Sequence, residues 1–398
     1  MSISGSRVGV VGGSIAGCAA AVALSRAGCE VVVLERSRGD LQGRGMGIGI
    51  PTAVFDELVF QGYLDRHLPA YRGYERVWLT HGSGVGKVHW RQPFPALFTS
   101  WGVVWRSLRS RVPDTGYRTS SSVTRIEPDA DGVTVVTEHG AAERFDAVVG
   151  ADGYRSLSRG LVDSGSRPVY AGYVVWRGDI DLPALAESAG MITACFPGGH
   201  GNFYPIVSVT GQPRVNWVIY GSIPEPYRFS DPQSLPPGTV PDELLKVLWQ
   251  TAEEHLPPYW AEIVQATPDE AVSIQPLYDC FSDSYTGGRV LLAGDAGTVA
   301  RPHTGGGAMK AMQDCLALQR ICEQPGSGGW AEVLSAYDEQ RRPACNALVE
   351  LGRRLGRPLV THSPAWDTMQ EADFQAWYTA TMAGASNPYD PVAEAEVK

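Results

Sequence analysis

The sequence has no run of ~18 apolar residues, so no segment reads as a membrane-spanning helix. Its N-terminus lacks a charged segment followed by a long apolar stretch, and so does not read as a secretory signal. The seven cysteines, at positions 18, 29, 195, 280, 315, 322 and 345, make no C-x-x-C pair. No Cys/His cluster has zinc spacing, so no metal site is expected. An odd number of scattered thiols points to free cysteines in a reducing, cytoplasmic setting. Basic charge is scarce: 33 Lys and Arg face 43 Asp and Glu, for a net charge of -10. Such a surface repels phosphate backbones, which argues against nucleic acid as a partner. There is no internal repeat and no low-complexity tail.

What is present is a chain of 398 residues that is 43% hydrophobic and 19% charged, the composition of a packed protein. That length allows two domains, or one large domain with an inserted lobe. Eleven Trp and sixteen Tyr are a generous aromatic supply. Most will pack a core; a few placed together would make an aromatic pocket.

The segment "RVGVVGGSIAGCAAAVAL", Arg7 to Leu24, reads as strand, glycine turn and helix. Gly12 and Gly17 hold the outer places of G-x-G-x-x-G, but Ser14 occupies the middle one. "EVVVLER" supplies a second buried strand ending at Glu35, 23 positions after Gly12. An acidic residue there suits a ribose hydroxyl pair, and the turn suits a pyrophosphate at a helix N-terminus. Next comes "GRGMGIGIP", expected as a mobile glycine loop, with Pro51 opening a helix. Strands are expected from Tyr74 to Trp90, a helix over Val103–Val112, and strands again from Ser120 to Gly153. A series of aromatic strands from Tyr170 to Ile223 predicts an inserted antiparallel sheet. Pro224–Pro241 carries six prolines and reads as a loop; Asp242 then caps a helix. Helices follow from about Gly307 to Cys322 and from Trp330 onward, where Pro343 should kink or divide the run.

Two further motifs repeat the theme of a buried strand ending in a carboxylate beside glycine. They are "VVGADGYRSLSR" (Val148–Arg159) and "LLAGDAGTVARPHTGGGAMKAMQDCLAL" (Leu291–Leu318). An Asp so placed can accept bonds from a sugar or ribityl chain. Gly305-Gly306-Gly307 opens a helix whose free N–H groups suit the negative charge of a reduced flavin.

Taken in order, "VVGGSIAG … LER … RSL … VVGADGYRS … LLAGDA … RPHTGGG … QD" resembles the FAD-dependent aromatic hydroxylases of the para-hydroxybenzoate hydroxylase type, the single-component flavin monooxygenases. The motifs span Val8 to Leu318, and "GGSIAG", "GYVVWRG" and "ARPHTGGG" are most similar to the 2,6-dihydroxypyridine hydroxylase branch. The resemblance implies an α/β fold: a Rossmann-like FAD-binding domain from residues 1–72, 100–168 and 280–340, an inserted, mostly antiparallel β-sheet substrate domain from 73–99 and 169–279, and a helical C-terminus over 341–398. It implies that Gly12, Ser14, Ile15 and Ala16 cradle the pyrophosphate, with Glu35 on the adenosine ribose and Arg36 beside the adenine. Met46 and Gly47 would pass along the flavin, Arg106 would reach FAD phosphates or the ribityl chain, and Val123 would meet the adenine; apart from the resemblance, Arg44 in the glycine loop is a candidate for FAD phosphate, with a solvated side chain as the alternative. Asp152 would serve FAD and the nicotinamide donor, and Asp295 the ribityl and pyrophosphate region. Pro302 and the Gly305, Gly306, Gly307 and Ala308 run would face the isoalloxazine. Thr298 and Met309 depart from the His and Asn common in the family.

The implied chemistry uses NADH or NADPH as a transient reductant and O2 as co-substrate. It passes through a flavin C4a-hydroperoxide that hydroxylates an electron-rich ring of the phenol, hydroxypyridine or indole type. The protein must then exclude water, position the ring and help to deprotonate it. Trp176, Tyr204 and Tyr220 are the candidate substrate wall, and His303 the candidate base. On this view His303→Ala slows hydroxylation more than flavin reduction. Epoxidation or oxidative ring modification by the same oxidant is the alternative reading. Halogenation is disfavoured because Trp101 and Trp105 are four apart and no W-x-W-x-I-P occurs. A non-enzymatic nucleotide-binding role leaves the second and third motifs without purpose. The expected assembly is a monomer or homodimer.

Overall fold

The computed structural model describes residues 3–43, 45–181, 190–224, 234–324 and 328–384. Three of the sequence expectations therefore lie wholly or partly outside the described residues: Arg44, residues 225–233 of the proline-rich loop, and the part of the C-terminal segment beyond residue 384.

The nucleotide side is a six-stranded sheet in the order Thr286–Gly287, Val290–Leu292, Ala147–Gly150, Arg7–Val11, Glu30–Leu34 and Tyr117–Arg118. All pairs are parallel except the first, which is antiparallel. The central strands are short continuous runs of Val, Leu, Ala and Gly, as strands covered on both faces must be. The helix Ile15–Arg26 is buried over its first ten residues. Its alanines and Gly17 bring it close: a Cβ at Gly17 would lie 1.8 Å from the Gly12 carbonyl oxygen. The helix Gly307–Glu323 packs beside it.

The second layer is an eight-stranded sheet in the order Ser273–Asp279, Val169–Ile180, Pro213–Gly221, Gly199–Val207, Gly190–Phe196, Tyr71–Thr80, Lys87–Ser100 and Gly47–Pro51. It is antiparallel except where Gly190–Phe196 runs parallel to Tyr71–Thr80. Gly47–Pro51, expected as part of a mobile loop, is thus an edge strand, and the following helix begins at Thr52. One face of the sheet is closed by the helices Asp242–His255 and Pro258–Gln265, which bury Leu244, Leu248, Trp260 and Val264 against Val174, Trp176, Trp217 and Ile219. Pro241, not Asp242, is the N-cap of the first of these. A small sheet of Val123–Pro128, Val133–Thr137 and Ala142–Phe145 completes the strands.

The helix Trp330–Gly356 runs through Pro343 without dividing, contrary to expectation. Pro343 and Glu339, whose carbonyl loses its helical donor, both lie on the exposed side, where solvent is free to satisfy that carbonyl. Among the described residues, no helix is long and apolar enough to cross a membrane.

Candidate active site

Parallel strands explain why motifs far apart in sequence act together. Val290–Leu292, Ala147–Gly150 and Arg7–Val11 are neighbours running the same way. Their carboxyl ends, and hence Gly12, Asp152 and Asp295, emerge along one edge of the sheet, where α/β folds place ligands. A cavity of about 1200 Å³ opens there and extends to the face of the larger sheet that the helices leave uncovered.

Its nucleotide end is lined by Gly12, Ser14, Ile15, Ala16, Glu35, Arg36 and Val123. Gly12 has φ +101°, and a Cβ there would sit 2.4 Å from the Ala151 carbonyl oxygen, so only glycine fits. The Gly13 carbonyl accepts from Trp105 Nε1 and Tyr117 Oη, each at 2.9 Å. Glu35 is buried and accepts from the Gly13 and Ser37 N–H groups at 2.7 and 2.8 Å. Ser14 is the N-cap of its helix, yet its hydroxyl makes no capping bond and faces the cavity. An uncommitted hydroxyl at an open helix N-terminus is what a pyrophosphate requires, so these residues fit FAD.

Asp152 and Asp295 line the middle of the cavity. Asp152 organises its own turn, accepting from Ser156 Oγ at 2.5 Å and from the Ser158 N–H at 3.0 Å. Arg159, which the motif reading did not single out, donates to the Asp295 carbonyl at 2.9 Å and so ties the second motif to the third. Although the Asp295 side chain opens to the cavity, the protein around it desolvates the carboxyl and raises its pKa; Lys310 and Arg159 oppose this. Met46, Gly47, Pro302, Gly305, Gly307 and Ala308 also line the cavity, whereas Gly306 is buried behind them as the helix N-cap. Arg106 is not at the cavity: it is exposed, and donates to the Val209 carbonyl at 3.1 Å. Of the two family departures, Thr298 is buried on Tyr285 and Met309 lies in the core.

The substrate end has a floor of Arg177, Asn202, Tyr204, Val218 and Tyr220 from the larger sheet, with Leu351, Leu355, Tyr378 and Met382 on the other side. Tyr204 lines it, and its hydroxyl donates to the Gly47 carbonyl at 3.0 Å, while Asn216 Oδ1 accepts from the Gly47 N–H at 2.8 Å. These two side chains fix the edge strand against the substrate sheet. Tyr220 lines the cavity, stacked on His200 at 4.4 Å. Trp176 does not: strand alternation turns it to the opposite face, among Trp217, Ile219 and the covering helices.

His303 requires a correction of role. Its ring borders the cavity and packs on Tyr220 at 4.5 Å, but Nε2 is hydrogen-bonded to Tyr173 Oη at 2.6 Å and Nδ1 is buried without a partner. Burial, aided by the positive charges of Arg301 and Arg76, drives its pKa down to about 3. With Nε2 engaged and Nδ1 buried, neither nitrogen is presented to the cavity, and the geometry does not support the proton-acceptor role that sequence position implied. Tyr173 in turn accepts from Arg301 Nη1 at 3.4 Å, and Arg301 and Arg353 both bind the buried Asp279. Because the imidazole is held neutral in the fold, the unfolded chain takes up a proton first as pH falls. Stability from this group is therefore full above about 6.5 and declines as pH drops through 6.5 toward 3. Thermal unfolding from pH 7 to 4 should fall more steeply for the wild type than for His303→Phe; parallel curves would contradict this assignment.

Fold and site together define a flavin-dependent monooxygenase. The chain belongs to the FAD binding domain family, whose model matches residues 6–351. It is similar to the 2,6-dihydroxypyridine 3-monooxygenase of Paenarthrobacter nicotinovorans, 29% identical over 342 residues, 81% of this chain and 84% of that one. The salicylate hydroxylase of Pseudomonas putida is 27% identical over 380 residues, covering 86% and 83%. The solved structure of 2,6-dihydroxypyridine-3-hydroxylase from Arthrobacter nicotinovorans superposes with a TM-score of 0.80 at 25% identity, over 91% of this chain and 96% of that one.

Proposed function

We propose that the protein takes electrons from NADH or NADPH and one atom of O2 to hydroxylate a small electron-rich aromatic or heteroaromatic ring, a phenol, hydroxypyridine or indole. The carrying observation is that one cavity joins the pyrophosphate turn to an aromatic-walled recess. A nucleotide laid along Gly12–Ala16 and Asp295 ends where a ring can rest on Tyr220 and Val218. The relatives named above act on rings of this kind by their names.

Bound FAD supplies the hydride acceptance and O2 activation that no side chain can. Gly12, Ser14, Glu35 and Asp295 bind it, and Gly307 and Ala308 offer N–H groups at a helix N-terminus, those of Gly305 and Gly306 being donated to the Pro302 carbonyl and to Thr304 Oγ1. Val218, Leu351, Leu355, Tyr378 and Met382 keep the recess dry, which protects a reactive oxidant from water. Tyr204 and Asn216 hold the Gly47 edge in register with that recess.

The test is a screen of phenols, hydroxypyridines and indoles for stimulated NADH and NADPH oxidation by the yellow protein, with products weighed by mass spectrometry. A product 16 mass units heavier than its substrate supports the reading. Uptake of O2 with no oxygenated product from any ring would reject it.

A further inference from the structure

The strand Val169–Ile180 turns Tyr173, Val175 and Arg177 toward the cavity and Val174 and Trp176 away from it. Arg177 pairs across the sheet with Val218, and Val175 with Tyr220. Its guanidinium therefore stands over the same floor that is offered to an aromatic ring. Its Nε is buried with no hydrogen-bond partner, and no described residue forms an ion pair with it. The acid two places along on the same strand face, Asp179, is already held by Arg214, whose Nη1 reaches Asp181 at 2.6 Å. Of the acidic residues that line the cavity, Glu35 belongs to its nucleotide end and Asp152 and Asp295 to its middle, and none stands on the floor of the larger sheet. Arg76, the other arginine of the floor, is engaged: Nε donates to Thr193 at 2.8 Å, and the guanidinium lies over Trp78 at 3.9 Å.

A planar fork of donors facing the cavity, with no acid beside it among the described residues, is a site awaiting an anion. The floor of the recess also presents no carboxylate and no accessible imidazole among the described residues. His303 keeps Nε2 on the Tyr173 hydroxyl and Nδ1 buried. A ring hydroxyl that must be ionised to become electron-rich is then best ionised by a neighbouring positive charge, which lowers its pKa.

We infer that Arg177 anchors an acidic oxygen of the substrate, and that the substrate class is aromatic rings bearing an oxyanion, either a carboxylate or an ionised ring hydroxyl. This rests on the hydroxylase reading and narrows it. Arg177 is a specificity-determining residue that touches the substrate and leaves the nucleotide end alone.

The experiment uses FAD-loaded wild type, Arg177→Met, Arg177→Gln and Arg177→Lys. Each is titrated with matched pairs, benzoate against benzamide and 2,6-dihydroxypyridine against 2,6-dimethoxypyridine. The flavin difference spectrum gives Kd, stimulated NAD(P)H oxidation is read in parallel, and FAD content and thermal midpoint report folding. In the wild type, at least one acidic compound binds tenfold or more tighter than its neutral partner. In the Met and Gln variants its Kd rises roughly 30- to 100-fold, the loss expected when one partner of a buried charge pair is truncated. The neutral compounds change less than threefold, and Lys restores part of the loss. The pair that responds tells carboxylate from ring oxygen. Equal binding within both pairs, no binding of either acid, or a preference that survives in both neutral variants overturns the inference. Neutral phenols hydroxylated regardless of Arg177 would sink this inference and leave the hydroxylase reading standing. An Arg177-dependent preference without oxygenated product would do the reverse.

Discussion

Replacing Asp314 by alanine is expected to cost about 3–5 kcal/mol of stability, the usual penalty for stranding a buried partner charge, and to strip the protein of FAD. Asp314 is fully buried on the helix Gly307–Glu323. Its Oδ1 accepts from Arg341 Nε at 2.9 Å and from Cys345 Sγ at 3.2 Å. Its Oδ2 accepts from the Gly294 N–H at 2.9 Å and lies 3.8 Å from Lys310 Nζ. Lys310, buried as well, donates to the Gly294 carbonyl at 2.5 Å. Both backbone groups of Gly294 are thus held by one ion-pair cluster, and the next residue is Asp295. Gly294 adopts φ +63° and presses so near Ala16 that a Cβ would come within 2.8 Å of the alanine's. The cluster therefore locks the third motif onto the first. Alanine leaves two buried cations facing each other, and the turn that aims Asp295 loses its support. Asp314→Asn keeps an acceptor without the charge and should lose less. Urea unfolding at pH 7, with the flavin-to-protein absorbance ratio, reads both effects. An alanine variant within 1 kcal/mol of wild type and full of flavin would show the cluster to be incidental.

Those long-range partners also mark where sequence reasoning stops. The strand–turn–helix at Gly12, the acid at Glu35 and the two Asp-Gly motifs are local patterns, because a backbone approaching phosphate demands particular residues at fixed spacing. The convergence of the three motifs followed from parallel strands, a topology that buried Val and Leu runs already announce. Alternation placed Asn216, Val218 and Tyr220 on one face, but it is silent about which face a helix covers. Trp176 fell on the covered one because the helices Asp242–His255 and Pro258–Gln265 pack there. Arg177, its neighbour, drew no attention among so many aromatics, since what distinguishes it is an acid that is missing nearby, and nearness across strands is not written locally. His303 was legible as a residue by the flavin segment. The direction of its nitrogens is set by Tyr173, 130 positions away. Asp314 closes the third motif in the sequence, but its pairing with Lys310 and Arg341 is not written there; the fold buries all three together.

Replacing Ser14 by leucine is expected to abolish FAD retention, while Ser14→Gly keeps it. Ser14 occupies the place of the middle glycine in the dinucleotide turn, and its φ of -77° is one any residue adopts, so backbone strain does not demand glycine there. What the position demands is small size beside the pyrophosphate: the residue lines the cavity at the first turn of the helix Ile15–Arg26. A leucine would fill the volume the phosphates need and bury their charge against methyl groups, whereas glycine removes only a hydroxyl and leaves the helix N–H groups in place. Losing that hydroxyl should weaken FAD by about tenfold at most, the value of roughly one hydrogen bond. Leucine at 14 should weaken it by a factor on the order of a thousand, the cost of an unpaired polar group together with steric exclusion. Gly12→Ala provides the backbone control, because φ +101° and the Ala151 oxygen at 2.4 Å forbid a side chain whatever its polarity. Flavin fluorescence during dialysis, with circular dichroism to confirm the fold, separates the three. Leucine and glycine variants that retain flavin equally would move the pyrophosphate away from Ser14, and with it the register of the whole cofactor along the cavity.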